Sequence, residues 1–141
     1  MIETPLVPVS WGELLDKITI LEIKAERIVS ETSRANVLKE LRLLSRTAGE
    51  VLARSNLRQP LDDLRAVNRD LWDIEDGIRA EEARGRFGPD FVRLARAVYM
   101  RNDERAAIKR RINALLGSEL VEEKSYWSGA NAPFMLSGEP A

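Results

Sequence analysis

Apolar residues recur at alternating intervals of three and four along most of this chain, which is the spacing of one face of an α-helix. Four such stretches are separated by short segments rich in glycine, proline, serine and asparagine. Short connections make successive helices antiparallel neighbours. We therefore predict four helices, over residues 11 to about 29–31, 35–54, 61–84 and 89–116.

Residues at the ends of these stretches support similar boundaries. Ser10 and Glu13 form a predicted capping box, in which the serine hydroxyl accepts the Glu13 amide N–H and the Glu13 carboxylate reaches back. Pro89 suits the first turn of the fourth helix, and Gly117 suits the position just after its end. The predicted fold class is all-α: an antiparallel four-helix bundle, or long helical hairpins, with a C-terminal segment packed back on it.

The length of the chain suits one domain with its own core. Its 141 residues are enough to bury roughly two thirds of the unfolded surface. We assign residues 1–127 to a single helical-bundle domain. Residues 128–141 are rich in glycine, proline, alanine and serine, so we expect a flexible C-terminal tail.

The fourth helix interrupts the apolar pattern. Its core-facing stripe begins and ends apolar but carries polar residues halfway along, at Asn102, Arg105, Lys109 and Asn113. A helix that only packs has no need of two cations and two amides on its buried side, because a buried charge is costly unless it is paired. These four residues are candidate ligand-binding residues.

Carboxylates beside the apolar seams of the first and third helices are the expected partners of those cations. We assign Glu22 and Glu75 to this role. Two interpretations stay open. The residues form an internal ion-pair network that fixes the register of the helices, or they line a small site for an anionic or phosphorylated ligand.

Composition excludes several kinds of chemistry. The chain has no cysteine and no histidine, so it lacks a thiolate nucleophile, the usual general base near neutral pH and the commonest metal ligand. We predict no metal site and no cofactor. Its net charge of −1, from 22 basic and 23 acidic residues, argues against a nucleic-acid partner. No long apolar run predicts a membrane segment, and we expect a cytoplasmic protein.

Other features suggest contact with a protein partner or self-association. Net charge alternates in sign from helix to helix, which supports antiparallel packing of acidic against basic helices within the chain rather than contact with a partner. Ile20 and Ile23 fall on the face opposite the first seam, and are either a dimer face or lie under the C-terminal segment. Tyr126 and Trp127 are adjacent aromatic residues that we expect to dock on the bundle or on a partner.

Four blocks of the sequence together resemble a family of small, uncharacterised bacterial proteins. The blocks are Gly12–Lys24, Leu71–Asp76, Val98–Asn113 and Ser118–Tyr126, and the resemblance extends over residues from about 8 to 127. The resemblance implies a helical fold and assigns no activity, so it transfers no catalytic residues.

Two further resemblances are to all-helical enzymes. The first helix is similar to the opening helix of chorismate mutases through Asp16, Ile20, Leu21, Ala25, Glu26 and Arg27. That similarity implies a dianion bound by Arg27, Arg105 and Lys109. The second resemblance is to nucleotide pyrophosphohydrolases, which hold Mg²⁺ with paired carboxylates three residues apart. Glu22 and Glu26 are four apart, and the three-residue spacing is found at Asp73–Asp76 and Glu119–Glu122.

From these observations we expect a non-enzymatic interaction or assembly module with a buried polar layer. The alternative is a small all-α enzyme or binder of an anionic, phosphorylated ligand.

Overall fold

The structure is a computed structural model that describes residues 1–126, and it confirms the all-α fold class. Two short 3-10 turns, Gly49–Ala53 and Ser55–Leu57, connect the second helix to the third. Trp127 and the predicted tail, residues 128–141, lie outside the described residues. The four helices are α1 (Trp11–Arg27), α2 (Glu31–Ala48), α3 (Arg58–Ala83) and α4 (Pro89–Leu116).

The predicted ends of α4 agree with the structure, whereas those of α2 do not. Helix α4 begins at Pro89 and is followed by Gly117 in the left-handed conformation, as predicted. Helix α2 begins four residues earlier than predicted, because the Ser30 hydroxyl accepts a hydrogen bond from its first turn. It also ends six residues earlier, at Ala48, because the next residue, Gly49, has a φ of +58°, which is incompatible with a continuing helix.

Contacts between helices show that the chain runs up, down, up and down, as predicted. Residue numbers rise along α1 as they fall along α2 and α4, whereas α1 and α3 run in the same direction. The pairs that show this are Lys17–Glu40 and Ala25–Arg34 for α1 and α2, Glu13–Lys109 and Asp16–Arg105 for α1 and α4, and Glu22–Arg65 and Arg27–Asp73 for α1 and α3.

Helix α1 is the central element of the core. It contacts α2 on one side and both α3 and α4 on the other, whereas α2 packs mainly on α1. Ile23 is consequently only 1% exposed. The C-terminal segment after α4 returns over the bundle, as its contacts with α1 and α4 show. The main cluster of buried apolar residues comprises Leu14, Leu15, Ile18, Ala48, Leu57, Leu61, Leu64, Val67 and Ile112.

The third and fourth helices extend well beyond the other two. Helices α3 and α4 contain 26 and 28 residues, whereas α1 and α2 contain 17 and 18. The buried residues of α3 lie within residues 60–68 and those of α4 within 106–113. The rest of both helices forms a projecting antiparallel pair, residues 71–102, which we call the distal hairpin. Within residues 1–126, no helix is long and apolar enough to cross a membrane.

Helix α1 approaches α4 most closely at Gly12. A Cβ atom placed there would lie 2.6 Å from the carbonyl oxygen of Lys109 and 3.0 Å from Asn113 Oδ1. These are backbone and hydrogen-bonded atoms that have little room to move. Only glycine therefore allows the two helices to cross at this distance.

We expect Gly12→Ala to destabilise the fold by about 1–3 kcal/mol, because the added methyl group would force α1 away from α4. Urea denaturation followed by circular dichroism measures the change. Gly88→Ala is the matched control, since a Cβ atom at Gly88 meets nothing within 4 Å. An equal loss of stability in both variants would contradict the close crossing.

Candidate functional site

The polar stripe of α4 meets the N-terminus of α1. The N–H groups of the first three residues of α1 donate, in order, to Ser118 Oγ (3.2 Å), Asn113 Oδ1 (2.7 Å) and Ser10 Oγ (3.1 Å). These donors have no partner within the helix itself. The C-terminal end of α4 thus caps α1, and the same N–H groups are not free to bind an anion.

Only half of the predicted capping box forms. The Ser10 hydroxyl accepts from the Glu13 amide, as predicted, but the Glu13 carboxylate accepts a hydrogen bond from Lys109 Nζ at 2.7 Å. Lys109 Nζ also donates to Glu122 at 3.0 Å. Lys109 is 6% exposed, and its two carboxylate partners come from α1 and from the C-terminal segment. The Glu13 carboxylate therefore pairs with the buried Lys109 cation and does not accept a hydrogen bond from the backbone N–H of Ser10.

Asp16 is the centre of the polar layer. It is 1% exposed and accepts two hydrogen bonds from the Arg105 guanidinium, one from Nε at 2.9 Å and one from Nη2. Asn68 Nδ2 of α3 donates to Asp16 Oδ1 at 3.0 Å and to Thr19 Oγ1 at 2.9 Å. The Thr19 hydroxyl donates to the Asp16 carbonyl. The network therefore joins α1, α3 and α4.

The pKa shifts follow from these pairings. The hydrogen bond to Asp16 raises the pKa of Arg105. Burial lowers the pKa of Lys109, but the hydrogen bonds to Glu13 and Glu122 outweigh it and leave the pKa above its usual value. The hydrogen bond from Lys109 lowers the pKa of Glu122. Both cations therefore stay charged across the physiological range.

Little space is left beside Lys109, whereas Arg105 borders an open groove. The cavity at Lys109 measures about 10 Å³, which is roughly the room that one water molecule needs. A larger open groove of about 290 Å³ lies beside Arg105 and Asp16, between α1 and α2. Its charged lining is balanced in sign, with three acids and three bases: Glu13, Asp16, Glu40, Lys17, Lys24 and Arg105.

The structure brings together three of the six predicted ligand-binding residues, which are Arg105, Lys109 and Asn113. The other three lie elsewhere. Glu22 pairs with Arg65 of α3, with Nε and Oε2 3.1 Å apart. The side chain of Glu75 is 51% exposed and lies 3.8 Å from Arg79 on the same helix, and Asn102 is half-buried beyond the network.

The acidic partners of Arg105 and Lys109 are not among the predicted site residues. The sequence pointed to Asp16 only through the resemblance to chorismate mutases, and to Glu13 only through the capping box. A signal for both is present in the sequence, because two acids three residues apart on α1 match two cations four residues apart on an antiparallel α4. The prediction rested on the carboxylates beside the seams of α1 and α3, which excludes the acids at the start of α1.

The geometry bears on the two enzyme resemblances. The cations that the chorismate mutase similarity implies are each paired with different acids, Arg27 with Asp73, Arg105 with Asp16, and Lys109 with two glutamates. In the part of the chain that the structure describes, no group of three or more acidic residues is placed to hold a metal ion.

The predicted interface residues have different environments. Ile23 is buried within the chain and is therefore not available to a partner. Ile20 is half-buried at one end of a groove of about 430 Å³, which Trp72 and Arg105 also line. Tyr126 is 74% exposed, and Trp127 lies outside the described residues.

Comparison with known proteins agrees with the resemblance to an uncharacterised family. The chain belongs to a family of unknown function, DUF6165, which matches residues 6–137. No curated protein and no solved structure matches the chain.

We expect Asp16→Asn to cost about 3 kcal/mol or more of folding stability, because it leaves the partly buried Arg105 without a counter-charge. Thermal and urea denaturation measure the loss. Asp73→Asn is the matched control: Asp73 also pairs with an arginine, but its side chain is 64% exposed, so little change is expected. Equal losses of folding stability in the two variants would show that the buried Asp16–Arg105 pair contributes no more than the exposed one.

The lowered pKa of Glu122 predicts a pH-dependent contribution to stability. A depressed carboxyl pKa stabilises the fold above the unfolded value, about 4.3, and that contribution is lost as the pH falls through the folded value. Wild type should therefore be more stable than Glu122→Gln at pH 7, and the difference should shrink on acidification below about pH 4.5. A difference that stays constant from pH 7 to pH 3 would contradict the ion pair with Lys109.

Proposed function

We propose that this protein is a non-enzymatic interaction or assembly module that presents the distal hairpin to a protein partner. The observation that carries the proposal is a stripe on α4 that begins under α1 and continues past it. Its members follow at intervals of four and three: Asn113, Lys109, Ala106, Asn102, Tyr99, Ala95 and Val92.

Exposure changes along this stripe where the cover of α1 ends. Ala106 is 8% exposed, whereas Tyr99 is 55% and Val92 50% exposed. The exposed residues of the stripe are nevertheless no more polar than its buried ones. An exposed apolar stripe in a regular helix is typical of a surface that another helix covers.

Helix α3 carries a corresponding stripe on the same side of the hairpin. Asn68 is buried against α1, and the positions that follow at intervals of four, three and four are Trp72, Glu75 and Arg79. Trp72 is half-buried, and Arg79 has a side chain that is 80% exposed. A groove of about 430 Å³ runs along this stripe of α3, and Ile20 of α1 and Arg105 of α4 also line it.

The polar layer supports this proposal because it makes the base of the distal hairpin rigid. Helices of this length gain most of their stability from tertiary packing. Within residues 1–126, contacts with α1 hold the hairpin near its base, where the Asp16 network and the Gly12 crossing fix α4 and Arg27 pairs with Asp73 of α3. A firmly anchored base with exposed apolar residues beyond it, such as Val92, suits a docking element.

The alternative, an enzyme or binder for an anionic ligand, has less support. An anion at Arg105 or Lys109 would have to compete with carboxylates already within hydrogen-bonding distance. Displacing Asp16, which is 1% exposed, from Arg105 would leave a buried acid without its cation, at a cost of several kcal/mol.

Photo-crosslinking in living cells tests the proposed docking surface. With p-benzoylphenylalanine in place of Tyr99, we expect protein adducts of the chain after irradiation. Leu43 is the matched control, because it is 48% exposed but lies on α2, outside the distal hairpin. Equal adduct yields at the two positions, or none at either, would contradict the proposal.

A further inference from the structure

We propose that the exposed stripe of α4 is covered by the C-terminal segment of the same chain, residues 127–136, and that this segment must leave the stripe before a partner binds there. The second half of the inference rests on the proposed function, because it names the regulation of the same surface. Three observations carry it: the path of residues 118–126, the length of chain that follows them, and the apolar residues within that length.

The last described residues run back along α4 toward the distal hairpin. Ser118 Oγ accepts a hydrogen bond from the first N–H of α1, at the end of the bundle where Asn113 binds the second. Four residues later, Glu122 accepts a hydrogen bond from Lys109, one helical turn closer to the hairpin. Residue numbers therefore rise along this segment as they fall along α4, and the chain that follows is directed toward the exposed stripe.

The described part of the segment already lies on the buried part of the same stripe. Lys124 lines the small cavity beside Lys109 together with Ala106, and Lys109 and Ala106 both belong to the stripe. Further along it, Tyr99 and Val92 are 55% and 50% exposed within residues 1–126. A chain that continues in the same direction passes over these exposed residues.

The chain is long enough to reach the far end of the stripe. From Lys109 to Val92, α4 rises about 26 Å. Fourteen residues lead from Glu122 to Leu136, and a chain of that length spans at most about 46–50 Å. The segment therefore reaches Val92 without being fully extended.

Residues 127–136 have the side chains that an apolar stripe accommodates. They include Trp127, Phe134, Met135 and Leu136, and none of the ten is charged. Packing of these side chains on the stripe removes apolar surface of both from water. The family match extends to residue 137 and so includes the whole segment. The proposal differs from the flexible tail that the glycine, alanine and serine content predicts.

Photo-crosslinking within the purified full chain tests the packing. With p-benzoylphenylalanine in place of Tyr99, irradiation of a dilute sample should join residue 99 to residues 127–136, and mass spectrometry of the digested monomer identifies the adduct. Leu43 on α2 is the matched control at 48% exposure and should give no adduct with this segment. No adduct from residue 99, or one found only in products of twice the chain mass, overturns the inference.

Substitutions in the segment test its apolar contacts. Phe134→Ser with Leu136→Ser should lower the yield of the residue 99 adduct by about tenfold, because the packing loses two large apolar side chains. Leu120→Ser with Val121→Ser is the matched control, since these two residues are 43% and 48% exposed and the adduct should persist. Circular dichroism verifies that the helices of every variant are intact. Equal yields from the two double variants would contradict the packing of Phe134 and Leu136.

The same variant in living cells separates this inference from the proposed function. Phe134→Ser with Leu136→Ser should raise the yield of adducts between residue 99 and a partner protein severalfold, because more of the chain then has an open stripe. A yield that stays equal or falls overturns the competition. If residue 99 crosslinks to a partner but never to residues 127–136, the docking surface stands and the covering segment is excluded. If it crosslinks to the segment and no variant gives a partner adduct, the proposed function fails and only the packing within the chain stands.

Discussion

The fold depends on the pairing of Asp16 with Arg105. A carboxylate that is 1% exposed is tolerated only when hydrogen-bonded charge surrounds it, and Arg105 and Asn68 supply those bonds from two other helices. Because each bond has a fixed direction, the network allows one relative position of α1, α3 and α4. A purely apolar seam of leucine and isoleucine would tolerate sliding by a helical turn far better. Gly12 adds a second constraint, since it allows α1 to approach α4 closely enough for the bonds to form.

Much of the fold could be predicted from the sequence, because its signals are local. The spacing of apolar residues identified four helices, and Pro89 with Gly117 identified both ends of α4. The predicted boundaries of α2 were wrong because tertiary structure or a weak sequence signal determines them, at Ser30 and at Gly49. The packing of α2 mainly on α1 could not be read from periodicity, because each helix shows one apolar face whatever its neighbour is.

The candidate site was only partly predictable for a related reason. A polar residue within an apolar stripe, such as Lys109, is visible in one helix alone. Its partner lies on another helix and is identified only by register, which depends on the crossing at Gly12. Glu75 has the right charge and a suitable place beside a seam, yet it lies on the distal part of α3, away from Lys109. Charge and periodicity therefore located one side of the network and not the other.

The same stripe of α4 connects the buried network to the surface. The half of the stripe that begins at Asn113 packs against α1. No described residue packs in the same way against the half that ends at Val92. Natural helices seldom carry an apolar face for many turns without cover, because an uncovered face costs solubility and gains no stability. The length difference between α1 and the hairpin therefore accounts for the change in exposure along the stripe, because α1 ends before the hairpin does.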